Sequence, residues 1–288
     1  MILLIFEGND DEPKIYKTLS KLFSFELKEE EIAYYFCNNI FSLYQEIKSY
    51  CTDENDKDLS SVLGDIDIIN ILKEEGKNHK KDITVLEKIK YSYEVSEIYL
   101  FFDFDIHKVD YMNIESYEEQ VSKIVELMRF FNNPNDEQYG IKLYINYPMI
   151  ESYKYFKKPL PDENYQNYTV KLHEINCFKN TAANFCDLKN TKYLCYDLNS
   201  NYELKFSADK EREEKIKQNW LYIKEMNIKK ANFLVSDNYF IPENKSDISQ
   251  EKILDYQIRK YITPKKEVAI LNAFPLFWFE YIDEQKMK

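Results

Sequence analysis

Glycine is scarce in this sequence, with four residues in a chain of 288. Neither G-x-x-x-x-G-K-[ST] nor G-x-G-x-x-G occurs, the two glycine-rich patterns that hold phosphates through backbone N–H groups. No G-x-S-x-G pattern marks a hydrolase serine, and no cysteine has a motif-defined histidine partner. The sequence therefore supports neither a glycine-rich nucleotide-binding loop nor covalent hydrolase chemistry.

Cysteines are few and irregularly spaced. The chain has five, an odd number, and no C-x₂-C pair. His173, Cys177, Cys186 and Cys195 therefore lack the ligand spacing of a structural zinc site. Because a disulfide framework is also not indicated, we expect reduced thiols and a cytoplasmic protein.

Basic residues are outnumbered, with 39 Lys and Arg against 51 Asp and Glu and a formal net charge of −12. This balance excludes a histone-like protein coated in positive charge, but a local basic groove remains compatible with it. No apolar run approaches the roughly 18 residues of a transmembrane helix, and no signal-peptide pattern begins the chain. We therefore expect no membrane association.

Short apolar runs in the first half alternate with helical patterns. Such unbroken runs are typical of strands buried on both faces of a parallel sheet. The predicted strands are 2–6, 32–36, 98–102 and 141–147, and the predicted helices lie at about 10–23, 41–50, within 65–92, and from 117 to 131. The order β-α-β-α-β-α-β predicts an α/β fold with a mostly parallel sheet flanked by helices.

The helix predicted from residue 117 has the clearest signals. Ser116 and Glu119 form an S-x-x-E capping box, and apolar residues then recur at helical spacing. The run stops at Asn132-Asn133-Pro134. The sequence therefore predicts both ends of this helix.

The pattern changes near Lys157–Asp162, a proline-containing stretch. We predict one domain over 1–158, with room for an insertion around 52–92, and a mostly helical domain over 159–288. Amphipathic helices are expected near 209–230 and 249–262. The apolar segments 268–271 and 274–279 must be buried or covered by a partner.

Acidic residues follow two of the predicted strands. Glu7 comes directly after the first strand, and Asp103 directly after the strand at 98–102. Asp105, two residues later, shares a face with Asp103 if the backbone stays extended. Open parallel sheets bind ligands outside the carboxyl ends of their strands. If the two strands are neighbours, the three carboxylates converge.

Convergence of like charges needs a protonated carboxyl or a bound cation. Two carboxylates about 4 Å apart repel by roughly 4 kcal/mol at an effective dielectric constant of 20. A set of oxygen ligands without histidine or cysteine favours Mg²⁺ or Mn²⁺. The alternative is that these acids are loop residues that close two strands.

Three segments resemble the motifs of TOPRIM domains. Residues 2–12 resemble the opening motif, a hydrophobic strand with Glu-Gly and an acidic turn into a helix. Residues 99–105 resemble the second motif, a strand that runs into D-x-D. Residues 143–153 are similar to the strand, proline and helix-borne glutamate of TOPRIM proteins in prokaryotic anti-phage defence, including RloB-like and abortive-infection families.

This resemblance implies an Mg²⁺-dependent nuclease of DNA or RNA, including tRNA, that acts as a toxic effector beside an ATPase partner. It makes Glu7 the acid/base or metal-coordinating glutamate, Asp103 and Asp105 metal ligands, and Glu151 an auxiliary acid. Glu151 is equally explained as the first-turn acid after Pro148. Asp11, at a helix start, is better explained as a helix-start residue than as a ligand.

Lysines near these acids are candidates for substrate binding. Lys154 and Lys157 follow Glu151 on what we expect to be one helix and its end, and Lys80, Lys81, Lys88 and Lys90 form a second basic stretch. A solvated helix face is the alternative. His107 is a weaker candidate for proton transfer.

A second function class stays open. In it the chain is a catalytically silent interaction module whose acidic surface and aromatic C-terminal segment dock an ATPase or an inhibitor. The sequence does not decide between DNA and RNA as substrate, nor whether copies of the chain associate with one another.

Overall fold

The computed structural model describes residues 1–24, 32–50, 59, 67–106, 116–131, 140–186, 188–201, 203–205 and 209–281, with 188–190 as backbone only. Residues 52–64, the first part of the region expected to hold an insertion, lie outside the described residues apart from residue 59, and so does His107. Within the described parts, no helix has both the length and the apolar character needed to cross a membrane.

The chain divides into two compact units that are each discontinuous in sequence. The first unit is Met1–Asn9 with Leu27–Tyr144, and the second is Asp10–Glu26 with Ile145–Lys288. The division differs from the boundary expected at residue 158, because the helix after the first strand groups with the C-terminal region.

Four strands form a parallel sheet in the order β2-β1-β3-β4. Their bounds are β1 Ile2–Phe6, β2 Ile32–Phe36, β3 Glu97–Asp103 and β4 Gly140–Asn146. Each agrees with its predicted strand to within about one residue. The α/β class with a parallel sheet flanked by helices is therefore confirmed.

Helices account for most of the remaining described residues. In chain order they are α1 Asp11–Phe23, α2 Ile40–Ser49, α3 Ile68–Asn78, α4 Thr84–Lys88, α5 Tyr117–Phe131, α6 Phe178–Phe185, α7 Lys210–Ser236, α8 Gln250–Gln257, α9 Thr263–Lys265 and α10 Ala273–Tyr281. The predicted helix at 249–262 is α8 followed by a π-helical turn over Ile258–Ile262. The predicted helix at 209–230 is α7, which runs further, to Ser236.

The capping box predicted at the start of α5 is present. The Ser116 backbone N–H donates to Glu119 Oε2 at 2.6 Å, and the Glu119 backbone N–H donates to Ser116 Oγ at 3.1 Å. Each side chain thus satisfies one of the helix's unpaired N–H groups. This reciprocal pair fixes the first turn of α5.

Two of the sheet's strands pair with β1 in exact parallel register. Phe6, the last residue of β1, lies opposite Phe36 of β2 and Phe101 of β3. The Phe6 and Phe101 rings are 5.5 Å apart between centroids, and both side chains are fully buried. The apolar sequence of β1 and β3 is therefore explained by burial on both faces of the sheet.

Gly76 of α3 sits where a side chain would not fit. A Cβ atom there would overlap the Tyr35 hydroxyl and the Ile83 side chain. The same Tyr35 hydroxyl donates to Glu75 Oε2 at 3.0 Å. Glycine is thus required because α3 packs so closely against β2.

We predict that Gly76→Ala lowers the free energy of unfolding by about 1–3 kcal/mol, the usual cost of overpacking a tight site. Alanine's higher helix propensity offsets this by at most about 1 kcal/mol. The control is Gly140→Ala, whose Cβ would lie 3.7 Å from Glu97 Cγ, an ordinary contact. Urea denaturation of both variants tests the point, and equal midpoints would contradict it.

The second unit contains more than helices. Strands β5 (Thr169–Lys171) and β6 (Glu267–Ala269) pair antiparallel, and Tyr147 bridges to Leu271. The apolar segments 268–271 and 274–279 are buried, as predicted. The C-terminal region is therefore largely helical, with a short strand pair that its sequence did not indicate.

Lys230 of α7 is fully buried in this unit. Its Nζ donates to the backbone carbonyls of Tyr165 at 3.0 Å and Tyr168 at 2.6 Å. Burial lowers the pKa of Lys230 well below the ordinary 10.5, and the Asp162 carboxylate opposes this only in part. The folded state therefore favours the neutral amine.

This shift makes stability depend on pH. Between the lowered folded pKa and 10.5 the unfolded chain binds one more proton at Lys230 than the folded chain, so stability rises with pH in that window. The slope is at most about 1.4 kcal/mol per pH unit.

We predict that the unfolding free energy of wild type minus that of Lys230→Met increases from pH 7 to pH 9.5. Urea denaturation at several pH values measures it. Lys229→Met, at a partly exposed neighbour on α7, is the control and should show no such trend. Parallel pH curves for wild type and Lys230→Met would disprove the shift.

Candidate functional site

The register of the first unit brings two of the predicted acids to one edge of the sheet. Because Phe6 lies opposite Phe101, Glu7 emerges from β1 beside the last residues of β3. The Glu7 backbone N–H continues the ladder by donating to the Phe101 carbonyl at 3.2 Å. Asp103 is the final residue of β3. Both acids thus lie at the carboxyl ends of adjacent parallel strands, where such sheets bind ligands.

The Glu7 side chain contacts the Asp103 backbone directly. Its Oε2 accepts a hydrogen bond from the Asp103 N–H at 2.9 Å. Both residues are half-buried. A carboxylate held by a backbone N–H is more rigid than one on a free loop, and this bond to the ionised form is of the stronger, charge-assisted kind.

Asp105 does not continue the extended backbone that we expected. The Ile106 N–H donates to the Phe104 carbonyl at 2.5 Å, which closes a three-residue turn centred on Asp105. Phe104 and Ile106 on either side are fully buried and Asp105 is half-buried. The alternation that would place Asp105 on the same face as Asp103 therefore ends with β3.

In the part of the chain that the structure describes, no three His, Cys, Asp or Glu residues are grouped so that they could hold a metal ion. Among the predicted acids, Glu7 contacts the Asp103 backbone, and Asp105 lies in the turn that follows.

A further carboxylate, Glu75 of α3, is held in the same unit and is fully buried. Its Oε1 accepts from the Asn38 backbone N–H at 3.2 Å, and its Oε2 accepts from the Tyr35 hydroxyl at 3.0 Å. Sequence reasoning missed it, although its spacing of three residues from Leu72 and seven from Ile68 places it on the apolar face of α3.

The Cys37 thiol lies close enough to Glu75 and Glu7 for both carboxyl groups to affect its pKa. Burial raises the pKa of this thiol well above the ordinary value, with further contributions from the Glu75 and Glu7 carboxylates. Burial and Glu75 likewise raise the pKa of the Tyr35 hydroxyl. Both groups stay protonated at neutral pH, so the charge at this edge comes from carboxylates and favours a cation.

Glu151 lies in the second unit and is buried with 3% exposure. Its Oε1 pairs with Lys179 Nζ at 3.0 Å. The helix expected from Glu151 through Lys157 is wrong, because a 3₁₀ turn over Ile150–Lys154 ends before Lys157. The Lys157 backbone N–H donates to Asp162 Oδ2 at 2.6 Å and not to a carbonyl of a preceding helical turn.

The two candidate lysines differ in their surroundings. Lys154 Nζ lies 3.5 Å from Asp11 Oδ2 and is mostly buried. Lys157 is exposed, and its Nζ lies 4.9 Å from the centroid of the Phe185 ring. Asp11 occupies the first turn of α1 and also contacts Lys14, which agrees with its interpretation as a helix-start residue.

Comparison with protein-family models, curated proteins and solved structures gives no match to the chain. The TOPRIM resemblance is carried by the three motifs alone and stays a prediction.

We predict that Glu7→Ala lowers the unfolding free energy by about 1–2 kcal/mol, because it leaves the Asp103 N–H without its charged acceptor. Glu7→Gln should stay close to wild type, since an amide oxygen can accept the same bond. The exposed Glu87 provides the matched pair Glu87→Ala and Glu87→Gln. Urea midpoints measure all four variants. Equal stability of Glu7→Ala and Glu7→Gln would show that the bond contributes nothing.

Proposed function

We propose that the first unit is a divalent-cation-dependent phosphodiesterase that acts on nucleic acid. The observation that carries the proposal is the Glu7 carboxylate bonded to the Asp103 backbone at the carboxyl ends of β1 and β3. The three TOPRIM-like segments support the reaction class. They also suggest DNA or RNA as substrate, an anti-phage role and an ATPase partner.

The chemistry of these donors fits Mg²⁺ or Mn²⁺. Carboxylate oxygens are hard ligands, and Mg²⁺ sites commonly combine one or two carboxylates with water and substrate phosphates. Glu7 and Asp103 would hold the ion, with Asp105 as a third donor from the turn. The bound ion would polarise a phosphoryl oxygen and lower the pKa of a water molecule.

The protein's own contribution is orientation and proton transfer. The Asp103 N–H holds the Glu7 carboxylate in a fixed position, so that it can accept a proton from the attacking water. The water oxygen forms a bond to phosphorus while the ester P–O bond breaks. The proton then passes to the departing oxygen.

A second function, the catalytically silent interaction module, is favoured by a specific observation. One oxygen of Glu7 already holds β1 against β3 through the Asp103 N–H. A carboxylate can close two strands in this way without any reaction. The two functions therefore differ in whether a divalent ion binds.

We predict that the chain binds Mn²⁺ in calorimetry and cleaves a mixture of DNA and RNA substrates when Mg²⁺ or Mn²⁺ is added. Glu7→Gln and Asp103→Asn should each weaken Mn²⁺ binding by roughly tenfold or more and slow cleavage by roughly a hundredfold or more. Both variants should keep the wild-type melting temperature.

Glu87→Gln removes one carboxylate elsewhere in the first unit and should leave both properties unchanged. Cleavage that persists in Glu7→Gln and Asp103→Asn would reject the assignment. Absence of both Mn²⁺ binding and cleavage in the wild type, with or without an ATPase partner, would favour the interaction module.

A further inference from the structure

The second unit contains a basic cavity of about 340 Å³. It is lined by four cationic side chains from separate parts of the chain and by two hydroxyl groups: Lys14, Lys154, Lys192, Arg212, Tyr153 and Thr191. Cys195 and Asp197 complete the lining. Four cations around one cavity are unexpected in a chain with a net charge of −12.

The carboxylates near this cavity do not cancel its charge. Lys14 Nζ lies 2.9 Å from Asp10 Oδ1 and 3.4 Å from Asp11 Oδ1, and Lys154 also contacts Asp11. Asp10 is 81% exposed and Asp197 is exposed, so water screens both charges. Asp11, whose side chain is 16% exposed, is shared by Lys14 and Lys154.

Arg212 is fixed in place by uncharged partners. Its Nε donates to the Lys192 carbonyl at 2.9 Å and its Nη2 donates to the Cys195 carbonyl at 3.1 Å. These bonds use two of the five guanidinium N–H groups and leave the full positive charge. Among the described residues, no carboxylate forms an ion pair with Arg212 or Lys192.

The neutral groups of the lining are compatible with an anion. Burial raises the pKa of the Tyr153 hydroxyl and of the Cys195 thiol, so neither carries negative charge at neutral pH. An arginine held by backbone carbonyls, with lysines and hydroxyl groups beside it, matches a ligand that is doubly charged and only accepts hydrogen bonds. The volume is at the small end of small-molecule sites, so it suits one small ligand or one chain end.

We propose that this cavity binds the terminal phosphate of a phosphate monoester, with Arg212, Lys192 and Lys154 as the charged donors. The ester is either a free nucleotide-sized molecule or the phosphorylated end of a nucleic acid. This site belongs to the second unit and does not depend on the proposed phosphodiesterase.

Calorimetry of the full chain without divalent ions tests the proposal. Adenosine 5′-monophosphate is titrated against adenosine, and a 5′-phosphorylated trinucleotide against its 5′-hydroxyl form. We expect binding only of phosphorylated probes. Binding of the monophosphate identifies a small-molecule site, and binding of the trinucleotide alone identifies a nucleic-acid end. Saturation by adenosine, or no binding of either phosphorylated probe at millimolar concentration, would overturn the proposal.

Arg212→Gln and Lys192→Gln should each weaken binding of the phosphorylated probe by about tenfold or more, the usual cost of losing a charged hydrogen-bond donor. Lys192 makes no ion pair among the described residues, so its variant should fold even if Arg212→Gln does not. Lys229→Gln, which removes one positive charge elsewhere on α7, is the control and should bind normally. Wild-type affinity in both cavity variants would refute the assignment. The same titration of Glu7→Gln should match wild type, which separates this site from the proposed function.

Discussion

The register of β1 against β3 is the constraint on which the first unit's chemistry depends. Phe6 faces Phe101, and this places Glu7 one step from the end of β3. A shift by one residue would turn every side chain of β1 to the opposite face of the sheet and move the Glu7 carboxylate away from the Asp103 N–H. Burial of both strands makes that shift expensive, because the residues of β1 from Leu3 to Phe6 are fully buried. The position of a polar group at the edge is thus set by apolar residues in the interior.

Charge is organised differently in the two units. In the first, the acidic residues Glu7, Asp103 and Glu75 lie at or near the carboxyl ends of the strands, while Cys37 and Tyr35 are kept neutral by burial and by nearby carboxylates. In the second, Lys230 is held in a buried site that favours its neutral amine, whereas the Arg212 guanidinium is oriented by two backbone carbonyls. Because an arginine is not deprotonated in proteins, Arg212 keeps its positive charge.

The sequence predicted the strands and the main helices well, because unbroken apolar runs and the Ser116–Glu119 box are local signals. It also placed Glu7 and Asp103 directly after two strands, but only the structure shows that those strands are neighbours. The end of the extended backbone after Asp103 was not predicted, because the turn at Phe104–Ile106 contains no glycine, asparagine or proline. Glu75 and the basic cavity depend on contacts between residues far apart in sequence, and no single motif contains them. The helix expected after Glu151 came from the motif resemblance, whereas the structure has a 3₁₀ turn there and bonds the Lys157 N–H to Asp162.

The large sequence separation between helix α1 and its partners affects the order in which the protein folds. The helix follows β1 directly in sequence, yet two of its contacts are with residues much later in the chain: Thr18 Oγ1 accepts from the Tyr196 N–H at 3.1 Å, and the Tyr16 ring lies 6.5 Å from that of Phe277. During synthesis α1 leaves the ribosome long before these partners exist. Loop closure over such separations is slow, so α1 should acquire its native packing late. An expression fragment that ends at residue 158 would keep this helix but lose both partners, and would present its apolar face to solvent.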